Sequence, residues 1–170
     1  IKEHGAKVIS ECNIAQAYGG MRGVKSMVCD TSLVEPDTGL IIRGMPLLEG
    51  PADLLPEEVF WLLLMGEIPN EEEKKSLQEE YRNRQEVPGY VWDVLRAMPK
   101  DSHPMCMLDT AILCMERESV FRARYTEGMK KTDYWEPTLE DSLNLLAKLP
   151  GIAAGVYRIR YEKGDLIAPD

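Results

Sequence analysis

Ser102-His103-Pro104-Met105-Cys106-Met107-Leu108-Asp109-Thr110-Ala111-Ile112-Leu113-Cys114-Met115 is the stretch on which the fold turns. Proline presets a first helical turn. Two apolar lines then run along the helix, Leu108, Ala111, Ile112 and Met115 on one and Met107, Thr110 and Cys114 on the other. A surface helix needs only one such line. Two lines, one of them made of small residues, mean that two neighbours press on the helix closely. Both can come from the same chain, or one from a second copy; the pattern reports burial without naming the partner.

Helices punctuated by prolines lie on either side. Upstream, Pro56-Glu57-Glu58 puts proline and acids in a first turn, and the run Val59 to Met65 is apolar all round until Gly66 closes it, so this helix must be covered on every side. Asn70 caps a helix with Glu71, Glu72 and Glu73 in its first turn and a narrow stripe of Leu77 and Tyr81, a mostly solvated element. Consecutive acids point to different sides of a helix, so the acidic triplet is a solvated face and not a metal site. Pro88 opens a helix with Val91, Val94, Leu95 and Met98 on one face, ended by Pro99. Downstream of a cationic segment with Arg122, Arg124, Lys130 and Lys131, Thr138 is the expected cap of a long helix whose Leu139, Leu143, Leu146, Leu149, Ile152, Ala153 and Val156 recur at helical spacing. Pro150-Gly151 should interrupt and kink it.

Only the first quarter reads as strand. Met27 to Val34 and Leu40 to Arg43 flank Glu35-Pro36-Asp37-Thr38-Gly39, where proline presets φ and glycine supplies a positive one, which makes a short hairpin. Before it, Tyr18-Gly19-Gly20-Met21-Arg22-Gly23-Val24-Lys25 offers three glycines and two cations in one loop, the most ligand-like segment of the chain.

The 170 residues carry 20 basic and 29 acidic side chains, a net charge of −9, which argues against a general nucleic-acid or anionic-membrane surface. An anionic ligand would need a local basic patch, and the Arg22/Lys25 loop and the Lys130-Lys131 pair are the candidates. No apolar run approaches the roughly 20 residues of a membrane span. Four cysteines without paired spacing and only two histidines, His4 and His103, make a metal site improbable; free thiols suit a reducing compartment. His103, before a proline at a helix entrance, is better placed to bond backbone than to act as a base. Nucleophile elbows, phosphate loops and zinc-protease motifs are absent from the sequence.

Taken in order, Tyr18-Gly19-Gly20-Met21-Arg22-Gly23, Ile42-Arg43-Gly44, Phe60-Trp61-Leu62-Leu63, Gly66-Glu67-Ile68-Pro69, His103-Pro104-Met105, Glu127-Gly128, Tyr134-Trp135-Glu136 and Leu146-Ala147-Lys148-Leu149-Pro150 resemble the mitochondrial (eukaryotic) type of citrate synthase. The resemblance covers almost the whole chain. It implies a mainly α fold, a helical large domain with a short N-terminal β-hairpin, in which residues 1–44 form loop and hairpin and 45–170 form helices. It further implies that 1–170 is the N-terminal portion of the large domain, with the small catalytic domain absent from this chain. The implied enzyme is an acyltransferase that condenses acetyl-coenzyme A with oxaloacetate to citrate and coenzyme A, the first step of the tricarboxylic acid cycle, as a homodimer. The family's catalytic histidines and aspartate fall outside this chain, so no catalytic residue is expected within it and the chain alone should be inactive.

On the family pattern, Arg22 would contact the coenzyme A phosphates. Lys131 stands where an arginine with a similar role is common; lysine keeps the charge and loses the bidentate fork. The resemblance implies no cofactor and no metal, since acetyl-coenzyme A is a substrate. It places the dimer contact on helices 88–98 and 104–118, and the protein in the mitochondrial matrix, with the peroxisome as second compartment. Two other outcomes stand beside it: a catalytically dead structural or assembly subunit, and 2-methylcitrate synthase, which uses propionyl-coenzyme A. The all-round apolar helix, the two-faced helix and the leucine-rich helix present more apolar surface than these residues can cover, so the chain by itself should aggregate or stay partly unfolded.

Overall fold

The structure, a computed structural model, describes residues 2–168. The chain divides into two compact units, Ile1–Pro69 and Asn70–Asp170.

In the first unit a short helix, α1 (Ile14–Tyr18), precedes an antiparallel sheet of β1 (Ser32–Glu35), β2 (Gly39–Ile42) and β3 (Met45–Pro46), in that order. Glu35 pairs with Gly39 and Ser32 with Ile42, so the Pro36-Asp37-Thr38 turn closes the hairpin as its sequence predicts. Two differences from expectation appear. The first strand begins at Ser32, because Met27 and Val28 have no neighbour to pair with. The sheet also gains a third strand past the expected boundary at 44: Arg43 (φ 48°) and Gly44 (φ 83°) both turn left-handed and fold the chain back onto β2.

Arg43 ties this sheet to the helix that follows, α2 (Pro56–Met65). Its Nε donates to the Leu63 carbonyl at 2.9 Å and its Nη2 to the same oxygen at 2.5 Å and to Leu64 at 3.4 Å. These are carbonyls of the last helical turn, which lack intrahelical partners and lie at the negative end of the dipole. At the other end, the Glu58 carboxylate accepts the Leu55 amide at 2.7 Å. Gly66 (φ 87°) stops the helix, as expected. The expected all-round cover is not there. Leu62 is fully buried and Val59, Phe60, Trp61 and Leu63 are partly covered, while Leu64 and Met65 in the last turn are exposed.

The second unit is helical: α3 (Glu71–Arg84), α4 (Gly89–Ala97), α5 (Pro104–Cys114) with a 3₁₀ turn to Glu118, α6 (Val120–Thr126) and α7 (Trp135–Arg160). Asn70 caps α3, its Oδ1 accepting the Glu72 and Glu73 amides while the Glu73 carboxylate accepts the Asn70 amide. The core is Val91 and Leu95 from α4, Met107 and Ala111 from α5, Met115 just after it, and Ile152 and Val156 from α7. The two neighbours of α5 are thus α4 and α7 of the same chain. Its fully covered line, Met107, Ala111 and Met115, joins the two expected lines, because a row at four-residue spacing faces the crevice between α4 and α7. On the other side Met105 and Leu113 stay exposed, Leu113 at 74%.

Two expectations for α7 are corrected. Thr138 is not its cap: the helix starts at Trp135, and the Thr138 hydroxyl donates to the Tyr134 carbonyl at 2.7 Å. Pro137 sits in the first turn, where a missing amide costs nothing, so the helix begins before the proline. Nor do Pro150 and Gly151 interrupt it, since all 26 residues are helical. An internal proline costs about 3 kcal/mol, and buried Ala147 on one side and Ile152 and Val156 on the other hold the helix through it.

Polar clamps fasten α7 to its neighbours. Arg84, near the end of α3, bonds Glu80 (2.8 Å), Glu140 (2.5 Å) and Asn144 (2.9 Å), and Lys148 returns a bond from Nζ to the Arg84 carbonyl at 2.7 Å. Burial, reinforced by the Arg84 charge, pushes the Lys148 amine below the usual lysine range. Asp141 accepts the Ser119 hydroxyl at 2.6 Å and the Val120 and Phe121 amides at 2.8 and 3.1 Å, capping α6 from α7.

Two separately compact bodies of about 70 and 100 residues would together expose about 10,000 Å². The chain exposes 12836 Å². Apolar side chains carry part of the surplus, among them Val8, Ile9, Ile14, Met27, Val28 and Val34, all more than two thirds exposed.

Candidate functional site

The glycine-rich loop between α1 and β1 is built by one side chain. Gln16 lies three residues after Asn13, and the two form a reciprocal cap: Asn13 Oδ1 accepts the Gln16 amide at 2.9 Å, and Gln16 Oε1 accepts the Asn13 amide at 3.1 Å. Gln16 then holds the loop, its carbonyl accepting the Met21 amide at 2.8 Å and its Nε2 donating to the Arg22 carbonyl at 3.3 Å. Gly20 (φ 79°) and Gly23 (φ 75°) bracket Met21 (φ 60°), so the chain doubles back and leaves the Arg22 side chain exposed. Gln16, the residue that holds this candidate loop, was missed in the sequence, although its Asn-x-x-Gln spacing is a helix-start signature.

Lys131 belongs to the second unit and opens a 3₁₀ turn, Lys131–Asp133, just after Gly128 (φ 89°). The cationic segment around it is now divided. Arg122 pairs with Glu116 at 2.6 Å and Arg124 with Glu136 at 2.5 Å. Among the described residues no carboxylate lies within ion-pair distance of Lys130 or Lys131, and both are exposed. Arg22 and Lys131 are therefore both presented to solvent, one from each unit.

His103 plays the part expected of it. It caps α5, its Nδ1 accepting the Met105 amide at 3.2 Å. Cys29, exposed before β1, is different: the Thr31 hydroxyl at 3.4 Å, then the Ser32 and Thr31 amides and the Ser32 hydroxyl, pull its thiol down to about 7. Thiolate is the reactive form. Iodoacetamide labelling of Cys29 should rise with a midpoint near pH 7, and Thr31→Val should move that midpoint up. A midpoint at the free-thiol value of about 8.5 in both proteins would contradict it. Among the described residues no three His, Cys, Asp or Glu side chains converge as metal ligands, and no helix is long and apolar enough to cross a membrane.

The architecture defines a class first. Citrate synthase from Pyrobaculum aerophilum superposes with a TM-score of 0.75 at 23% identity, covering 89% of this chain and 38% of that one. The enzyme from Thermoplasma acidophilum, solved as a ternary complex with carboxymethyl coenzyme A and oxaloacetate, gives 0.70 at 19% identity over 95% of this chain and 39% of its own. The fold is thus the mainly helical one of citrate synthases.

Sequence comparison is more specific. The family model for the citrate synthase C-terminal domain matches residues 20–170. Mitochondrial citrate synthase of Saccharomyces cerevisiae is 43% identical over 99% of this chain, and the peroxisomal citrate synthase of the same yeast is 41% identical over 98%. The mitochondrial 2-methylcitrate synthase of Yarrowia lipolytica is also 41% identical over 98%. This chain belongs to the citrate synthase family. It spans 37% of the first relative's length and 38% of the other two.

Proposed function

We propose that the protein carrying this chain condenses acetyl-coenzyme A with oxaloacetate to give citrate and coenzyme A, in the mitochondrial matrix. The chain is read as the N-terminal portion of the large domain. It supplies scaffold, a subunit contact and part of the coenzyme A site, while the groups that enolise the acetyl unit lie outside it; by itself it is inactive. The 43% identity to a mitochondrial citrate synthase along nearly the whole chain carries this proposal.

Arg22 and Lys131 are the groups assigned to the coenzyme A phosphates. Both are exposed cations, and Arg22 has a guanidinium fork that matches phosphate oxygens. The exposed Met105 and Leu113 on α5 favour a homodimer contact through α4 and α5. The surplus of exposed surface fits a chain that is covered by more protein.

Coenzyme A release by the intact protein should require oxaloacetate. Arg22→Ala should raise KM for acetyl-coenzyme A about tenfold with kcat nearly unchanged, since phosphates remote from the reacting carbon contribute uniform binding. An unchanged KM would remove Arg22 from the site. The 2-methylcitrate synthase relative, only two percentage points less identical, supports a second outcome in which propionyl-coenzyme A is the better substrate. The peroxisomal relative likewise keeps that compartment as the second location.

A further inference from the structure

Four cations meet at the far end of α7. A cavity of about 380 Å³ in the second unit is lined by Arg96, Lys100, Arg158 and Arg160, with Met98 and Met107 at its apolar wall. Its one acidic lining residue, Glu162, is occupied by an ion pair with Lys100. In a chain of net charge −9 this is a local reversal of sign.

Arginines in a last helical turn often serve that turn's own carbonyls. These do not. The amides of Tyr161, Glu162 and Lys163 already donate to the carbonyls of Tyr157, Ile159 and Arg158. Arg158 instead donates from Nε to the Asp165 carbonyl at 2.5 Å and from Nη2 to the Lys163 carbonyl, and Arg160 donates from Nε to the Ser102 carbonyl at 2.8 Å. These acceptors are neutral. Among the described residues no carboxylate stands within ion-pair distance of either guanidinium, though both side chains are half-buried. Arg96 has only a 3.5 Å contact to an exposed Asp93. Half-buried guanidinium groups lose hydration, and the dipole of α7 offsets only about half a charge. The bonds to carbonyls also fix Arg158 and Arg160 in place, so their free N–H groups are oriented beforehand.

We propose that this cavity is a binding site for a small, multiply charged oxyanion, a pyrophosphate or a dicarboxylate, held by Arg96, Arg158 and Arg160. Both anions present paired oxygens that match guanidinium forks, and both fit the volume. The site shares no residue with the coenzyme A contacts assigned to Arg22 and Lys131.

The test uses the intact protein labelled with ¹³C at methionine methyls, with Met98→Leu and Met107→Leu assigning the two reporters in the cavity wall. These report the cavity itself, so anion binding elsewhere does not mimic the signal. Pyrophosphate and malonate are titrated separately against potassium chloride of equal ionic strength. The expected result is a saturable shift of both methyls with at least one oxyanion, and the stronger of the two identifies the ligand chemistry. Arg160→Gln should weaken it about tenfold, the usual weight of one charge-assisted hydrogen bond. Arg96→Gln, at an exposed position whose ion pair is a 3.5 Å contact to exposed Asp93 on the same helix, should weaken it as well with the other methionine signals unmoved. Shifts that potassium chloride reproduces, that fail to saturate, or that are unchanged in both variants overturn the proposal.

Discussion

Gly155→Ala is expected to destabilise the second unit by about 2 kcal/mol, although alanine is the better helix former. A Cβ at 155 would lie 2.3 Å from Cζ3, 2.7 Å from Cη2 and 3.3 Å from Cε3 of Trp92. The gain in helix propensity is at most about 1 kcal/mol. Forcing a rigid indole off its seat in a packed interface costs about 1–3 kcal/mol, and a bulkier Val at 155 costs more. The midpoint of urea denaturation of the intact protein reads the difference. The sign should reverse when the indole is removed: in a Trp92→Leu background, Gly155→Ala should be neutral or slightly stabilising, because only the propensity gain remains. A stabilising Gly155→Ala in the unmodified protein would show that α4 and α7 do not pack through this pair.

Leu95→Ala should cost more, about 2–5 kcal/mol, the range for a leucine removed from a filled core. Leu95 is 0% exposed and packs among Val91, Met107, Ala111 and Ile152, so three helices border the space its side chain fills. Val94, its neighbour on α4, is 37% exposed, and Val94→Ala should change stability by less than about 1 kcal/mol. The contrast tests the orientation of α4. Equal losses at the two positions would mean that Val94 is covered as deeply as Leu95.

The expected stripe on α4 ran through Val91, Val94, Leu95 and Met98, and the structure keeps Val91 and Leu95 at its centre. Periodicity found that face because burial acts on every turn of a helix. Helix starts were legible where a side chain bonds the backbone locally, as at Asn70 and His103. The start of α7 was misread: Thr138 is a good cap by composition, yet the helix begins at Trp135 and takes Pro137 into its first turn. The unbroken course of α7 through Pro150 was hidden for a different reason. A proline's local cost is visible in the sequence, but the packing of Ala147, Ile152 and Val156 that offsets it comes from other segments of the chain.

Arg22 and Lys131 could be singled out only by charge, glycine content and family resemblance. Composition cannot tell which cations of a cluster have partners. Arg122 and Arg124 lie in the same cationic segment as Lys131, and only the structure shows that Glu116 and Glu136 neutralise them. The cavity around Arg158 and Arg160 was not legible at all, because its walls come from the α4–α5 turn and the end of α7, some 60 residues apart in the chain.

The Arg84 clamp also sets a schedule. Its partners Glu140, Asn144 and Lys148 lie 56, 60 and 64 residues downstream. At ribosomal speeds of about 5–20 residues per second, α3 waits roughly 3–13 s for them to be synthesised. A helix of 14 residues is marginal in isolation, and the reciprocal Asn70–Glu73 cap is the support it carries from the start. Meanwhile α4 and α5, separated by a short turn, can pair without waiting. Unit closure is therefore gated by the arrival of α7, and a pause in translation between Glu118 and Trp135 would prolong the time for which the apolar faces of α4 and α5 stand open to other nascent chains.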